Sequence, residues 1–388
     1  MHTHPPFCAK THSRAHFAVI AAFAALALSI QTFAQHHIAT FEAPGAGTGA
    51  GQGTYPNGFL ADGRMLGIYF DSNNVAHGFL RHSDGKFTTF DAPGASTGPG
   101  SGPNAFQDPG TLPWGLNQEG AIAGYIVDAA GLFHGFLRSR DGKFTVFDAP
   151  GAGTLAGQGT EPGNINDFGA IAGYYSDSTF MFHGFLRERD GVITSFDAPG
   201  AGTGPGQGTY PAQFSCLTDE GTITGEYRDT NNVDHGFIRH RDGSFTTFDA
   251  PNAGTAIGQG TFPTSINEEG ETTGFYIDES GVNHGFVRSR RGSFTAFEAP
   301  DAGIGAGQGT LAETNTADGQ ETGYFADTNS VYHGFLRDRD GKLITFDVEG
   351  AGTGAGQGTY SLVNNIEGAT VGTYIDTNNA YHGFLRRR

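Results

Sequence analysis

The sequence predicts an all-β protein built from one structural unit that is repeated seven times. The tripeptide His-Gly-Phe recurs along the chain, beginning at His77, His134, His183, His235, His284, His333 and His382. The spacings are 57, 49, 52, 49, 49 and 49 residues, and a period of about 50 residues is typical of repeat architectures. The 388 residues include 63 Gly and 33 Phe but only 3 Met, which favours short aromatic strands between glycine turns. These observations predict a seven-bladed β-propeller with four-stranded antiparallel blades.

Each repeat contains four candidate strands, called A, B, C and D here. In the third repeat they are residues 161–166, 170–175, 183–187 and 192–199. A short turn that ends in Gly separates A from B, and Asp-Gly between C and D predicts a two-residue hairpin. The four strands therefore form an antiparallel meander.

The predicted C/D hairpin has two apolar faces. Counting back from its Asp-Gly turn, Phe136 lies opposite Phe147 on one face, and Leu137 lies opposite Val146 on the other. Such a sheet must be covered on both sides, and a blade that stands between two neighbouring blades meets this requirement.

The two chain ends predict how the ring closes. Residues 38–44 form a lone D strand, and residues 382–386 form a lone C strand with no D strand after it. The last repeat lacks a D strand, and the N-terminal segment is a D strand without a C strand of its own. We therefore expect the N-terminal strand to close the last blade and to remove the exposed sheet edges.

Residues 1–34 have the pattern of a secretory signal peptide. Lys10 and Arg14 give a basic start, an apolar run follows at 15–30, and small residues precede Gln35. The apolar run has about 16 residues, whereas a membrane span usually needs about 20. We expect cleavage before Gln35, no membrane span, and a periplasmic, extracellular or cell-surface location.

The mature chain, residues 35–388, is predicted to be a single seven-bladed propeller domain. Cleavage removes Cys8 and leaves Cys216 alone, so no internal disulfide is possible. The formal net charge of −18 argues against a nucleic-acid partner, because no basic stripe is available to neutralise phosphates. We expect a monomer.

The His-Gly-Phe-Leu-Arg motif, the Asp-Gly turn and the Gly-rich turn together resemble the extracellular HAF-type repeats of secreted bacterial proteins. Here Gly stands between His and Phe, where the name of that family has Ala. The resemblance covers about residues 38–388. It implies a secreted or surface protein, and it indicates a repeat rather than an activity.

Every motif His has an Asp six residues earlier. Such a pair can be half of a catalytic triad or two metal ligands. It occurs in all seven repeats, however, and no Ser or Cys nucleophile recurs beside it, so we interpret the pairs as structural latches of the B/C hairpins. The pairs are Asp71 and His77, Asp128 and His134, Asp177 and His183, Asp229 and His235, Asp278 and His284, Asp327 and His333, and Asp376 and His382.

The B/C loops also suggest Ca²⁺, because they are rich in hard oxygen ligands. Asp-Ser-Asn-Asn occupies residues 71–74, and Asp-Thr-Asn-Asn occupies 229–232 and 376–379. An acid follows each D strand on the same face, namely Glu42, Asp91, Asp148, Asp197, Asp249, Glu298 and Asp347. Asp and Asn form Asx turns without any metal, and no loop has the Asp-x-Asp-x-Asp-Gly spacing. We predict no cofactor, with Ca²⁺ as the open alternative.

Two departures from the repeat are candidates for a selective site. The connection at 94–111 has eight extra residues, and the fourth repeat has three extra residues around Cys216. The structural alternative is tolerated loop insertion together with one core Trp. If there is a single binding site, we predict it near the second blade, at Asn104, Phe106, Asp108 and Trp114, the only Trp.

Two function classes remain open. The first is a non-catalytic secreted binding or scaffold protein whose partner is a glycan, a peptide or a surface protein. The alternative is an extracellular lyase or hydrolase that acts on a polymer from a site in the central channel. Glu226 and Glu313 are the candidate unrepeated acids near inner strands for that alternative.

Overall fold

The computed structural model describes residues 37–99 and 109–387. Its regular elements are 28 β-strands. Within these ranges no helix is long and apolar enough to cross a membrane. The predicted signal peptide lies outside the described residues.

The strands form seven units, each with four antiparallel strands. In chain order they are β1 (Ile38–Phe41), β2 (Gly53–Phe59), β3 (Met65–Phe70), β4 (Ala76–Arg81), β5 (Phe87–Phe90), β6 (Gly110–Leu116), β7 (Ile122–Val127), β8 (Phe133–Arg138), β9 (Phe144–Phe147), β10 (Gly159–Ile165), β11 (Ile171–Ser176), β12 (Phe182–Arg187), β13 (Ile193–Phe196), β14 (Gly208–Pro211), β15 (Ile223–Arg228), β16 (Asp234–Arg239), β17 (Phe245–Phe248), β18 (Gly260–Ile266), β19 (Thr272–Ile277), β20 (Asn283–Arg288), β21 (Phe294–Phe297), β22 (Gly309–Asn315), β23 (Glu321–Ala326), β24 (Tyr332–Arg337), β25 (Leu343–Phe346), β26 (Gly358–Asn364), β27 (Thr370–Ile375) and β28 (Tyr381–Arg386). Units 1 to 6 are β2–β5, β6–β9, β10–β13, β14–β17, β18–β21 and β22–β25, and unit 7 is β26–β28 with β1.

The units form a closed, propeller-like ring. Each C strand meets the A strand of the next unit at a single parallel pairing, such as Phe182 with Gly208. The pairing of Tyr381 with Gly53 joins unit 7 to unit 1 in the same way. In five of the seven pairs of neighbouring units the A strands contact each other, so the A strands lie innermost.

The predicted pairing of the two chain ends is present. β1 pairs antiparallel with β28, from Ile38 opposite Arg386 to Phe41 opposite Gly383. The N-terminal strand therefore occupies the D position of unit 7 and covers an edge that β28 would otherwise expose.

An arginine interlocks each unit with the one before it. The Arg of every His-Gly-Phe-Leu-Arg motif, or of its Ile or Val variant, lies over the last Phe of the preceding D strand, with Cζ 4.5 to 4.9 Å from the ring centroid. Arg81 of unit 1 lies over Phe41 of β1. Such cation–π contacts contribute about 0.5–1 kcal/mol when exposed and more when desolvated. Strand β1 thus takes part in the same interlock as the other six D strands.

The C/D turns have one residue more than predicted. In unit 2 the Gly142 N–H donates to Ser139 O over 2.8 Å, and the Ser139 N–H donates to Lys143 O over 2.9 Å. Gly142 has a φ of 87°, in the left-handed region. This is a type I turn followed by a left-handed Gly, which makes a three-residue loop.

The extra residue shifts the register of the hairpin by one position. Phe136 lies opposite Val146, and Leu137 lies opposite Thr145. The predicted pairing of Phe136 with Phe147, and of Leu137 with Val146, is therefore wrong. Because side chains alternate between the two faces of a strand, an error of one residue reassigns every partner.

The observed register explains the motif glycine. Gly184 lies opposite Phe196, and a Cβ on Gly184 would come within 2.3 Å of the Phe196 ring. Only glycine therefore fits under that ring. The following residue, Phe185, points to the other face and is fully buried, as are the equivalent Phe79, Phe136, Phe237, Phe286, Phe335 and Phe384.

The strand bounds also differ from the expected ones, most of all for the D strands. The sequence predicts one D strand over residues 192–199, but β13 spans only Ile193–Phe196. The Ala198 N–H then donates to Oγ1 of Thr209 in the next unit over 2.9 Å. This bond draws the chain out of the sheet and towards the next A strand.

Candidate functional site

Each motif His lies between two carboxylates. In unit 4 the His235 Nδ1 bonds to Asp249 over 2.8 Å, and Nε2 lies 3.8 Å from Asp229. An ionised carboxylate only accepts, so Nδ1 carries the proton and donates. In the seven units the distance from Nε2 to the earlier Asp is 3.3 to 3.9 Å.

The structure thus brings each predicted Asp and His together, but the closer partner of the His is a second acid. That acid follows the D strand, where the sequence suggests only a calcium ligand. In units 1 to 6 that acid stands 14 residues after the His, and this constant spacing is the feature of the sequence that points to the pairing. These acids are Asp91, Asp148, Asp197, Asp249, Glu298 and Asp347, and Glu42, which follows β1, serves His382 in unit 7.

The Asp of the B/C loop also organises its own turn. Oδ1 of Asp229 accepts from the N–H groups of Asn231 and Val233, over 2.8 and 2.9 Å. Burial favours a higher pKa for Asp229, but these hydrogen bonds outweigh it and leave the pKa below its usual value. In the described part of the chain no group of three or more His, Cys, Asp or Glu side chains is arranged to hold a metal ion.

The imidazole itself is held on a third side by an aromatic ring. Tyr227 stacks on His235 with centroids 5.0 Å apart, and five other units have the same stack. The hydrogen bond to Asp249 raises the pKa of His235 above its usual value, while burial opposes the rise. These contacts join strands B, C and D with the B/C turn.

A second candidate site is a cavity of about 310 Å³ that is lined by residues of units 3 to 6. We call it the inner cavity. Two carboxyl groups line it, those of Glu226 and Glu313, and its described lining contains no Lys, Arg or His. Five aromatic side chains supply most of the remaining wall, namely Tyr174, Tyr210, Phe214, Phe262 and Phe275.

Much of this lining comes from repeat positions whose side chains vary. The third residue of each A strand lies opposite the fourth residue of its B strand. In chain order these pairs are Tyr55 and Ile68, Leu112 and Tyr125, Glu161 and Tyr174, Tyr210 and Glu226, Phe262 and Phe275, Leu311 and Tyr324, and Tyr360 and Thr373. The backbone frame repeats around the ring, whereas these side chains do not.

The three extra residues of unit 4 shape one wall of the inner cavity. Strand β14 ends at Pro211 after four residues, whereas the other A strands have seven. The chain then leaves the strand, and Gln213 and Phe214 line the inner cavity. Cys216, at the centre of this departure, is fully buried, and burial raises the pKa of its thiol to about 12.

Hydrogen bonds hold the two tyrosines of the inner cavity in place. The Tyr174 hydroxyl donates to Glu161 over 3.2 Å and accepts from Gln213 Nε2 over 3.3 Å. The Tyr210 hydroxyl donates to Gly206 O over 2.8 Å. Both rings are therefore positioned before any ligand arrives.

The two acids of the inner cavity have strongly raised pKa values. Burial raises the pKa of Glu226 to about 8, with the charge of Asp234 adding to the rise and that of Arg228 opposing it. Glu313 is only 6% exposed. Burial raises its pKa to about 8 as well, against a hydrogen bond from Tyr324. Both groups therefore hold a proton for much of the time at pH 7.

The four predicted binding residues are not among the described residues that line the inner cavity. Asn104, Phe106 and Asp108 fall outside the described residues. Trp114 lies in β6 and is 4% exposed, and its ring meets Phe214 edge-on with centroids 5.8 Å apart. Because Phe214 lines the inner cavity, Trp114 supports this wall from the core.

Comparison with solved structures supports the propeller-like fold. The BP39L lectin from Burkholderia pseudomallei is similar over 85% of this chain and 94% of its own, with 10% identity and a TM-score of 0.55. A puromycin hydrolase is similar over 85% of this chain but 51% of its own, with 12% identity and a TM-score of 0.51. Identities this low show a likeness of fold alone. No protein-family model and no curated protein sequence matches the chain, so the HAF-type resemblance stays a prediction.

Proposed function

We propose that this protein is a secreted, non-catalytic seven-bladed β-propeller that binds its ligand in the inner cavity. The observation that carries the proposal is the convergence of unrepeated aromatic and carboxyl side chains on a repeated frame. Seven equivalent units offer seven equivalent surfaces, so a selective site needs residues that break the repeat. A concave, mostly apolar site with a few polar groups is also the usual form of a ligand pocket.

In this proposal residues 1–34 are a signal peptide and residues 35–388 form one domain that acts outside the cytoplasm as a monomer. The proposed partner is a glycan, a peptide or a surface protein. The lectin of similar fold supports a glycan among these classes. Asn104, Phe106 and Asp108 stay proposed contacts on the second unit, and Trp114 is proposed to act through Phe214.

The test begins with glycan and peptide arrays probed with the mature chain. Any ligand found is then titrated against Tyr210→Ala and against Tyr360→Ala, which alters the same repeat position outside the inner cavity. Aromatic anchors of this kind contribute 2 kcal/mol or more when they are central to a site, on the order of 30-fold in affinity. We expect that loss for Tyr210→Ala alone, and equal binding by the two variants would place the site elsewhere.

The second candidate function is an extracellular lyase or hydrolase that acts on a polymer. One observation favours it: Glu226 and Glu313 both line the inner cavity, and both have a pKa of about 8. A carboxyl group that keeps its proton near pH 7 can act as a general acid. Product release from polysaccharides that is abolished by Glu226→Gln, in a variant that still folds, would support this function over binding alone.

A further inference from the structure

The inner cavity has an unbalanced charge. Glu226 and Glu313 come from different units, and the described residues that line this cavity include no basic side chain. Enclosing an ionised carboxylate is costly unless an opposite charge lies close to it. The inner cavity is therefore complementary to a cation.

The guanidinium group of Arg228, two residues after Glu226, is already paired with an acid. Arg228 Nε donates to the fully buried Asp234 over 3.0 Å, and Nη1 donates to Gly206 O over 3.1 Å. Its positive charge is thus matched by Asp234. A further cation is needed to balance Glu226 and Glu313 when both ionise.

The aromatic walls provide the second half of a cation site. Phe262 and Phe275 stack nearly parallel, with centroids 5.0 Å apart and an interplanar angle of 11°. Tyr174 and Tyr210 meet at 5.6 Å and 66°. The Tyr210 ring already carries Arg228, with Cζ 5.7 Å from its centroid, so the rings left for a ligand cation are those of Phe262, Phe275 and Tyr174. The face of an aromatic ring carries partial negative charge and attracts a cation within about 6 Å of its centroid.

We infer that the inner cavity receives a compact organic cation, an alkylated ammonium group. The inference rests on the proposed binding function, because it names the chemistry that the same site would recognise. A bare ammonium needs three hydrogen-bond acceptors, whereas an alkylated one presents carbon to the rings. The cavity volume of about 310 Å³ lies at the small end of ligand pockets, roughly 300–1,000 Å³, and suits a small group.

Ionisation of the two acids makes this binding depend on pH. Burial holds the pKa of both Glu226 and Glu313 at about 8. A bound cation stabilises their ionised forms, so affinity should rise from pH 6 to pH 9, on the order of tenfold. The titratable groups that face them are Asp234, Arg228 and Tyr210 around Glu226, and Tyr324 and Tyr55 around Glu313.

The test compares choline with 3,3-dimethylbutan-1-ol, in which carbon replaces the charged nitrogen. Both are titrated calorimetrically into the mature chain, residues 35–388, at pH 8.5. We expect saturable choline binding, with the neutral analogue about tenfold weaker or more. Equal affinity for the two compounds, or no saturable binding of choline, would overturn the inference.

Variants then locate the binding. Phe262→Ala removes one aromatic wall and should weaken choline binding about tenfold, while Tyr360→Ala, at the same repeat position outside the cavity, should leave it unchanged. If Phe262→Ala does not fold, Glu226→Gln keeps the shape of the site and should reduce the rise in affinity from pH 6 to pH 9. Choline binding that is insensitive to both Phe262→Ala and Glu226→Gln would contradict the assignment.

A free cation and a lipid headgroup share this chemistry. Retention on phosphatidylcholine vesicles as well as binding of free choline would assign a headgroup, and binding of free choline alone would assign a soluble ligand. A glycan whose binding is lost in Tyr210→Ala, with no choline binding, would overturn the cation inference and leave the proposed binding function standing.

Discussion

At the residue scale, four positions of the repeated motif each make a different contact. In unit 3 His183 bonds to a carboxylate, Gly184 lies under an aromatic ring, and Phe185 fills the core. Arg187 lies over a ring of the preceding unit. These contacts depend on partners in other strands, so each makes a prediction about a single substitution.

Gly184→Ala should destabilise the protein although it adds only one methyl group. The new Cβ would come within 2.3 Å of the Phe196 ring, and overpacking of this kind costs roughly 1–3 kcal/mol. Urea unfolding measures the change. Gly98→Ala is the control, because among the described residues its Cβ would meet no atom closer than Ser96 Oγ, at 3.5 Å. Equal stability of the two variants would show that the ring does not hold this position.

His183→Ala should lower stability by about 1–3 kcal/mol and leave ligand binding almost unchanged. The substitution removes the hydrogen bond to Asp197, the facing contact to Asp177, and the stack on Tyr175. Urea unfolding and titration with any identified ligand check the two halves of the prediction. Loss of an activity without loss of stability would mean that the motif His has a chemical rather than a structural role.

At the scale of elements, β1 decides whether the ring is complete. It supplies the fourth strand of unit 7 and the ring over Gly383, and Glu42 directly after it bonds to His382. Arg81 of unit 1 also lies over its Phe41. The strand therefore fastens the last unit to the first by the same contacts that join the other units.

Phe41→Ala should destabilise the protein about as much as Phe90→Ala, the same change in the D strand of unit 1. Both rings cover a motif glycine and lie under an arginine, and truncation of a large aromatic costs about 3 kcal/mol. Deletion of residues 35–44 should cost several kcal/mol, since it also removes the strand pairing. Unchanged thermal unfolding of the deletion variant would rule out closure by β1.

At the scale of the whole molecule, we expect the protein to become less stable as the pH rises from 6 to 8, because its folded state holds protons that the unfolded state has released. The pKa of Glu226 and Glu313 is about 8 in the folded protein and about 4.3 when unfolded. The native state therefore holds protons that the unfolded state releases, and stability falls across that interval. His235 acts in the same direction, because its folded pKa is raised, so its contribution is lost as the pH rises through that value.

At acid pH, stability is lost through carboxylates such as Asp229, whose pKa is lowered in the folded protein. Their contribution is present above about pH 3.9 and is lost as the pH falls through the folded value. Stability should thus be greatest near pH 4 and should fall from there towards pH 8. Urea midpoints at constant ionic strength measure the profile, and a double Glu226→Gln, Glu313→Gln variant should flatten its alkaline side. A midpoint that rises from pH 6 to pH 8 would contradict this account.

The sequence by itself determined the features that follow from spacing along the chain. The seven copies of His-Gly-Phe gave the number of units, and a lone D strand before a lone C strand predicted how the ends pair. It did not determine register, because a left-handed Gly142 adds one residue to a turn and moves every cross-strand partner by one.

Only the tertiary structure decided where unlike residues meet. The sequence marks Glu226 and Glu313 as unrepeated acids near inner strands, but they belong to different units, and only the structure places both in the lining of one cavity. The extra residues of unit 4 turn Phe214 towards the same space. Whether such residues converge depends on how the units curve around the ring. A periodic sequence predicts the strands of each unit, but it does not predict the shape of the space that the units enclose.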